Sequence, residues 1–391
     1  MNPLDWIEGE LEGLERRGLR RRMRTILGAQ RALLKVDGIQ AINFSSNCYL
    51  GLADHPDLIA AARATLETEG AGAGASRLIA GNQAAHRQLE QTVARFKQTP
   101  AALLFGSGYQ ANVGTLTALL GPEDAVFSDA LNHASIIDGC RLARAHIHVY
   151  RHGDTAHLAE LLEREAPAAR RCLIVTETLF SMDGDRAPLA RLAELARQHR
   201  AMLMVDEAHA TGVLGPDGRG VAAELGIVPD IQMGTLGKAF ATAGAYVAGS
   251  AHLVEYLTHC ARSFVFTTAL PPAVAASATA SIDLVAGAVG QQRRAALAFH
   301  VERFHAGLAA LGLPRPAQPS HIIPLLVGDT RRAMLLSERL LRAGIFAQGI
   351  RPPTVPDGTS RLRFALMATH TTAQLDRALS ALGELRVLFH R

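Results

Sequence analysis

The most informative stretch of the chain reads Asp230-Ile231-Gln232-Met233-Gly234-Thr235-Leu236-Gly237-Lys238-Ala239-Phe240-Ala241-Thr242-Ala243-Gly244-Ala245. Its apolar start predicts a strand, and the strand leads to a lysine among glycines, alanines and threonines. Because these neighbours carry little side-chain bulk, another molecule can approach the Lys238 ammonium closely. Desolvation at such a position lowers the pKa of a lysine and makes its amine nucleophilic.

A nucleophilic lysine in this setting suits a Schiff base with pyridoxal phosphate (PLP), a cofactor that acts as an electron sink. The alternative is a surface lysine in a glycine-rich loop. The stretch alone favours neither interpretation, so the choice between them depends on the rest of the chain.

Composition places the chain among ordinary globular proteins. Its 391 residues are 48% hydrophobic and 19% charged, which suffices for one large α/β domain and a smaller one. The net charge of +4 is not gathered into one basic tract, so we expect no nucleic-acid binding. No apolar run of about 18 residues lacks a break, so we expect no membrane span.

The four cysteines lie far apart, and none forms a CxxC pair. This spacing argues against a zinc site and against a disulfide framework, and it fits a reducing cytoplasm. We therefore expect a cytoplasmic protein without a bound metal. The N-terminus has no apolar signal-peptide segment.

Short apolar segments alternate with helical ones from about residue 86 onward, which is typical of βαβ units and a doubly wound, mostly parallel sheet. We predict an N-terminal helical and strand segment at 1–55, a large domain at 56–286 and a smaller C-terminal α/β domain at 287–391. The predicted strands of the large domain include 101–105, 124–128, 146–150, 172–177 and 201–206. Outside it we predict an amphipathic helix pair over 2–34, strands at 321–327 and 345–349, and a final helix at 371–388.

Polar side chains follow several of the predicted strands. Ser181 follows strand 172–177, Asp206 and His209 lie at the end of strand 201–206, and Lys238 follows the next strand. Ligands bind at the carboxyl ends of strands in such sheets, so we expect these groups to share one site. In addition, the turn Gly106-Ser107-Gly108-Tyr109 opens a helix and offers backbone N–H groups to an anion.

A PLP enzyme needs a carboxylate at the pyridinium nitrogen, a donor at the phenolic oxygen and a flat group stacked on the ring. Asp206, His209 and His133 are the respective candidates. The alternatives are a helix cap for Asp206 and a structural role for each histidine. For the phosphate, the candidates are Gly108, Tyr109 and Thr235.

Four motifs together resemble the α-oxoamine synthase family: Phe44-Ser45-Ser46-Asn47-Cys48-Tyr49-Leu50-Gly51-Leu52, Ser181-Met182-Asp183-Gly184-Asp185, Asp206-Glu207-Ala208-His209 and Gly234-Thr235-Leu236-Gly237-Lys238. The resemblance extends from about residue 19 to the end of the chain. It implies the fold-type I, aspartate-aminotransferase-like architecture with PLP as cofactor. It also implies condensation of an amino acid with an acyl thioester and loss of CO₂.

The resemblance implies a role for each matching residue. Lys238 is then the Schiff-base lysine and the base that removes the Cα proton, and His133 is the stacking residue that also assists at the thioester carbonyl. Asp206 is the pyridinium partner and His209 the phenolate partner. The remaining implied contacts are Ser181 and Thr235 for the cofactor, Gly108 and Tyr109 for the phosphate, Arg20, Asn47 and Thr354 for the substrate, and Arg363 for the amino-acid carboxylate.

The family further implies a homodimer with a shared active site, in which Thr267 or Thr268 of the neighbouring subunit contacts the phosphate. Within the family, Leu19-Arg20-Arg21-Arg22 and Ile350-Arg351-Pro352-Pro353-Thr354-Val355-Pro356 most resemble the members that condense L-alanine with a pimeloyl thioester in biotin synthesis. The sequence does not distinguish CoA from an acyl carrier protein as the carrier of the acyl group.

Two alternatives stay open at this point. One is a family member that uses glycine and acetyl-CoA, and the other is a non-catalytic subunit of the same fold. The presence of Lys238, Asp206 and His209 argues against the second. Cys48 departs from the family pattern, which more often has an acidic residue there, and the departure bears on substrate entry and subunit packing.

Overall fold

The computed structural model describes residues 2–389. The helices are α1 (Trp6–Arg16), α2 (Pro56–Glu69), α3 (Ala84–Lys97), α4 (Gly108–Leu119), α5 (Ala134–Ala143), α6 (Thr155–Glu165), α7 (Leu189–Gln198), α8 (Val221–Glu224), α9 (Ala251–Cys260), α10 (Arg262–Val265), α11 (Pro272–Ala286), α12 (Ala288–Ala310), α13 (Thr330–Arg342) and α14 (Thr372–Glu384). The strands are β1 (Ile26–Leu27), β2 (Leu33–Val36), β3 (Ile39–Asn43), β4 (Ala101–Phe105), β5 (Ala125–Asp129), β6 (His146–Tyr150), β7 (Cys172–Glu177), β8 (Met202–Asp206), β9 (Ile231–Thr235), β10 (Ala245–Gly249), β11 (Ile322–Gly328), β12 (Ile345–Phe346), β13 (Gln348–Ile350) and β14 (Ser360–Ala365).

The chain divides into two compact units. The larger unit consists of residues 50–181 and 185–295. The smaller unit consists of the described residues up to Tyr49, the short segment Met182–Gly184 and the described residues from Ala296 onward. The three-part division at residues 55 and 286 stays a prediction.

The larger unit is built on a seven-stranded sheet in the order β4-β10-β9-β8-β7-β5-β6. All neighbours from β9 to β6 are parallel, whereas β10 runs antiparallel to both β4 and β9. Its central strands are continuous apolar runs buried on both faces, as a parallel sheet covered by helices requires. The prediction of a large, mostly parallel sheet is therefore confirmed.

Apolar side chains from the sheet and from α4 and α5 form the main core cluster of this unit. The cluster includes Val126, Leu173, Met204 and Val247 from the strands and Leu116 and Ile136 from the helices. This packing fixes the carboxyl ends of β7 and β8 relative to the start of α4.

The smaller unit contains two sheets. One has the strand order β1-β2-β3-β12, and the other is the antiparallel sheet β11-β14-β13. The strand predicted at 345–349 is wrong as a single element, because β12 and β13 belong to different sheets. The final helix ends at Glu384 and is followed by a short 3₁₀ turn at Arg386–Phe389.

The helix pair predicted over 2–34 is also wrong in its second half. After α1 the chain turns at Gly18, which ends the helix. Its φ of 69° is a conformation that glycine adopts at little cost. The apolar residues that follow do not cover a helical face, since Met23 is 95% exposed and Ile26, Leu33 and Val36 lie in strands instead.

Among the described residues, no single helix is both long and apolar enough to cross a membrane. The pair α11 and α12, which is bent by 69°, meets the length and composition criteria only when the two helices are taken together.

A buried ion pair ties α3 to the loop that follows β8. Lys97 donates to Oε2 of Glu207 at 2.6 Å, and the Ala222 N–H donates to the other oxygen at 3.0 Å. Burial is the largest single effect and lowers the pKa of Lys97, but Glu207 and Tyr246 together outweigh it, so the net pKa is raised. Gly220 is needed beside this pair, because a Cβ there would lie 2.4 Å from a Glu207 oxygen.

We expect Lys97→Met to lower the free energy of unfolding by about 3–5 kcal/mol, because it leaves a buried carboxylate without its partner. Urea unfolding of the purified protein measures this change. The matched control is Lys35→Met on β2, whose side chain is exposed, with an expected change within about 0.5 kcal/mol. Adding Glu207→Gln to Lys97→Met should recover part of the loss. If Lys97→Met were as stable as the control Lys35→Met, the ion pair between Lys97 and Glu207 would not stabilise the fold.

Candidate active site

A cavity of about 190 Å³ lies in the larger unit. It is formed where β7, β8 and β9 end and where α4 and α5 begin. The residues that line it are Gly108, Tyr109, Asn112, His133, Ser135, Glu177, Asp206, Ala208, His209, Met233, Thr235 and Lys238. The structure therefore brings together seven residues that the sequence predicted: Gly108, Tyr109, His133, Asp206, His209, Thr235 and Lys238.

The start of α4 forms one wall of the cavity. Ser107 caps this helix by accepting a hydrogen bond from the Gln110 N–H at 3.2 Å, and Gly108 is the first helical residue. The first N–H groups of a helix have no acceptor within the helix, and the helix dipole is positive there. This wall therefore suits a phosphate. The hydroxyl of Tyr109 donates to Asp138.

Asp206 ends β8 and is held by two donors. The Ala208 N–H donates to Oδ1 and the Asn112 side-chain amide to Oδ2, each at 2.9 Å. The same Asn112 amide also donates to the Ser135 hydroxyl at 2.9 Å. Each oxygen of this buried carboxylate therefore accepts a hydrogen bond, which fixes its orientation.

His133 is linked to Asp206 through this chain of hydrogen bonds. It caps α5, and its Nδ1 accepts from the Ser135 N–H at 3.2 Å and lies 2.8 Å from the Ser135 hydroxyl. Desolvation and the Lys238 ammonium lower the pKa of His133, against the opposing effect of Asp206. The ring is therefore neutral at pH 7, which suits stacking on another ring.

Lys238 lies in a tight loop between β9 and β10. The loop is closed by hydrogen bonds from the Thr242 N–H to the Leu236 carbonyl and from the Leu236 N–H to the Gly244 carbonyl, both at 2.9 Å. At the start of the loop, the Thr235 hydroxyl donates to the Gly244 carbonyl at 3.1 Å. Gly244 itself has a φ of 96° and thus favours glycine. These contacts present Lys238 to the cavity.

Ser181 and His209 are both buried and follow β7 and β8 respectively. His209 lines the cavity, whereas Ser181 is not one of the lining residues. The role predicted for Ser181 as a cofactor contact stays a prediction.

The predicted substrate residues belong to the smaller unit. Arg363 lies on β14, is 6% exposed and donates to Asn47 Oδ1 at 3.1 Å and to the Tyr49 hydroxyl at 3.4 Å. Tyr49 in turn donates to Asn47 at 3.0 Å. Burial raises the pKa of Tyr49 to about 12, although Arg363 lowers it, so the hydroxyl stays protonated. The structure thus joins Arg363 directly to Asn47 and adds Tyr49, which the sequence had not singled out, as a shared partner of both.

Arg20 and Thr354 are not in direct contact in the structure. Arg20 is exposed and lies 3.6 Å from Glu15, whereas Thr354 accepts a hydrogen bond from Arg21 at 3.2 Å. Neighbouring arginines cannot be told apart by sequence pattern, and the geometry favours Arg21 as the contact of Thr354. The substrate role of Arg20 stays a prediction.

Sequence reasoning missed three polar residues of the cavity: Asn112, Ser135 and Glu177. A signal existed for the first two, since Asn112 lies one helical turn after Gly108 and Ser135 lies two residues after His133. Within residues 2–389, no group of three or more His, Cys, Asp or Glu side chains is arranged to hold a metal ion.

Comparison with known proteins defines the class first. Residues 39–382 match the family described as aminotransferase class I and II. The match spans most of the chain, and the chain belongs to this family.

Individual relatives define the class more narrowly. The chain is 52% identical to 8-amino-7-oxononanoate synthase of Geobacter metallireducens, over 96% of each chain. It is also 52% identical to the 8-amino-7-oxononanoate synthase of Anaeromyxobacter dehalogenans strain 2CP-1, over 97% of this chain and 95% of the relative. These matches confirm the family resemblance drawn from the motifs.

Solved structures agree with this class. A serine palmitoyltransferase variant from S. paucimobilis, with PLP and myriocin bound, superimposes with a TM-score of 0.93 at 32% identity and 98% coverage of both chains. The 8-amino-7-oxononanoate synthase of Francisella tularensis superimposes with a TM-score of 0.77 at 29% identity, covering 90% of this chain and 99% of that one. The predicted aspartate-aminotransferase-like fold is thereby confirmed.

Proposed function

We propose that this protein condenses L-alanine with a pimeloyl thioester in a PLP-dependent reaction, giving 8-amino-7-oxononanoate, CO₂ and a free thiol in biotin biosynthesis. One observation carries the proposal: a lysine, an aspartate that accepts two hydrogen bonds and two histidines share one cavity, in a chain that is 52% identical to 8-amino-7-oxononanoate synthases.

The cavity fits PLP by the chemistry of its groups. Lys238 supplies the primary amine to which the aldehyde of PLP attaches, and the start of α4 supplies N–H groups for the phosphate. Asp206 would supply a buried carboxylate for the ring nitrogen, and its hydrogen bonds from Asn112 and Ala208 hold that carboxylate in place. His133 supplies a neutral ring.

When bound, PLP withdraws electrons from Cα of the amino acid, which stabilises negative charge there during carbon–carbon bond formation and decarboxylation. The residues of the chain would position the cofactor and control its protonation. Asp206 would keep the ring nitrogen protonated, His209 would donate to the phenolic oxygen, and Ser181 would be a further cofactor contact. Thr235, Gly108 and Tyr109 would hold the phosphate.

Two residues act on the substrates. The amine of Lys238 removes the Cα proton and later returns one. His133 assists at the thioester carbonyl, whose oxygen gains negative charge when the Cα carbon attacks and loses it again when the thiol leaves.

Arg363 is the candidate for the amino-acid carboxylate. Its guanidinium is buried, and it donates hydrogen bonds to Asn47 Oδ1 and to the Tyr49 hydroxyl, both of which are neutral oxygens. A planar guanidinium suits a carboxylate because it binds both oxygens at once. Thr354 and the arginines at residues 20–21 are the candidates for the acyl thioester.

We also propose that the protein acts as a homodimer, in which Thr267 or Thr268 reaches the phosphate of the neighbouring site. Exposed apolar side chains support this, since Ile79 is 81% and Phe266 is 71% exposed. The exposed arginines near residue 20 suit either CoA or an acyl carrier protein as the acyl carrier. A cytoplasmic location is part of the proposal and is supported by the four cysteines, none of which forms a disulfide within residues 2–389.

The test is thiol release by PLP-loaded protein given pimeloyl-CoA with L-alanine or with glycine. We expect release with L-alanine and at least about tenfold less with glycine, because an extra methyl group in an apolar pocket is worth about 1–3 kcal/mol. Parallel assays with pimeloyl-acyl carrier protein identify the preferred carrier. Release with glycine and acetyl-CoA, and none with L-alanine and either pimeloyl thioester, would instead identify a glycine C-acetyltransferase.

A further inference from the structure

Glu177 is a second carboxyl group in the cavity, and none of the roles assigned above includes it. It is the last residue of β7, is 3% exposed and lines the same cavity as Asp206 and Lys238. β7 and β8 are parallel neighbours, and their register places Glu177 opposite Asp206. Residues in register on neighbouring strands point to the same face of a sheet, so the two carboxyl groups share one wall.

The two carboxyl groups have different surroundings. Asp206 accepts hydrogen bonds from Ala208 and Asn112. Within the described part of the chain, Oε1 of Glu177 is buried and has no hydrogen-bond partner. A buried carboxylate needs donors around it, whereas a protonated carboxyl group brings a donor of its own. The unpartnered oxygen therefore favours a protonated carboxyl group at Glu177.

Burial and the charges around Glu177 also favour its protonated form. Burial is the largest cause that raises the pKa of Glu177, and the Asp206 carboxylate raises it further. The Lys238 ammonium and the backbone N–H groups of His133 and Ser181 lower it, but the pKa still reaches about 8. The other titratable groups that line the cavity are Tyr109, His133, Asp206, His209 and Lys238.

We infer that Glu177 belongs to the cofactor site as a neutral carboxylic acid, which donates a hydrogen bond into the cavity and leaves the negative charge of this wall to Asp206. The inference rests on the proposed function only in taking PLP as the cofactor, and it involves neither substrate. PLP carries a net negative charge, because its phosphate outweighs its protonated ring. A wall with one carboxylate therefore holds PLP more tightly than a wall with two.

The test measures the dissociation constant of PLP from pH 6 to pH 9.5 for apoprotein of the wild type, Glu177→Gln and Glu177→Ala. Glutamine is neutral and donates an N–H, so at pH 7 its variant should bind PLP within about threefold of the wild type. The alanine variant lacks a donor and should bind about tenfold more weakly. Above pH 8 the wild type should weaken by up to about tenfold relative to Glu177→Gln, because it alone gains a charge at this position.

Infrared spectra of the apoprotein at pH 7 provide a readout without cofactor. The wild-type spectrum minus the Glu177→Gln spectrum should contain a carboxylic-acid C=O band and no matching carboxylate band. A carboxylate band would overturn the inference. So would a glutamine variant that loses PLP as strongly as the alanine variant, or a wild-type-to-glutamine ratio of dissociation constants that stays constant with pH.

These outcomes are separate from those of the proposed function. Thiol release with the wrong substrates, or with none, leaves the PLP and infrared results for Glu177 unchanged. Conversely, a wild type that releases thiol with L-alanine as proposed, but shows the carboxylate band, would reject only the role of Glu177.

Discussion

Replacing Lys238 with alanine is expected to reduce thiol release from pimeloyl-CoA and L-alanine by at least about 10³-fold. Lys238 supplies the one primary amine among the described residues that line the cavity, so nothing there can take over. The expected loss combines two effects, because in the proposed reaction the same amine attaches PLP and moves the Cα proton. The initial rate of thiol release under saturating PLP measures the effect.

Two further observations separate a chemical effect from misfolding. Borohydride reduction should fix PLP covalently to the wild type and not to Lys238→Ala, while both proteins unfold at similar urea concentrations. Lys35→Ala is the matched control, since Lys35 is exposed on β2 and should retain both activity and covalent labelling. Full labelling of Lys238→Ala would show that another amine holds the cofactor.

Asp206→Asn is expected to lower kcat by at least about 10²-fold, which is typical of removing one electrostatic partner of a developing charge. A neutral amide cannot hold a proton on the ring nitrogen. It also has one acceptor oxygen in place of two, so either the Ala208 N–H or the Asn112 amide loses its acceptor. Steady-state kinetics and the absorbance spectrum of bound PLP measure the two consequences.

The control for Asp206→Asn is Asp217→Asn. Asp217 is exposed and has a φ of 54°, a conformation that asparagine also tolerates, so this variant should behave as the wild type. A kcat of Asp206→Asn within about threefold of wild type, with an unchanged spectrum, would mean that Asp206 is a structural cap and that another group faces the ring nitrogen.

Much of the large sheet was predictable because its strands are short, continuous apolar runs. β7 and β8 fall close to their predicted ranges for this reason. β14 was missed because Arg361 and Arg363 interrupt its apolar pattern, although both side chains are buried in the structure. Arg361 is satisfied there by Asp183 and the Met182 carbonyl, and these partners come from a distant part of the sequence.

Near the N-terminus the error is the reverse of that at β14, because a helix was predicted where the structure has none. Leu19, Met23 and Ile26 have helical spacing, yet a spacing predicts a buried face only if another element covers it. Met23 lies in an irregular segment and is exposed, and Ile26 pairs with Val36 in a hairpin instead.

The sequence by itself determined the class of the protein and the identity of its main chemical groups. Lys238, Asp206 and His209 stand in short motifs at the ends of strands, where the chain must bring them to one edge of the sheet. Only the tertiary structure decided which groups act together. Strand register sets Glu177 opposite Asp206, and helix packing joins Asn112 to both Asp206 and Ser135. These contacts link residues that are far apart in the chain, and local sequence patterns carry no information about such distances.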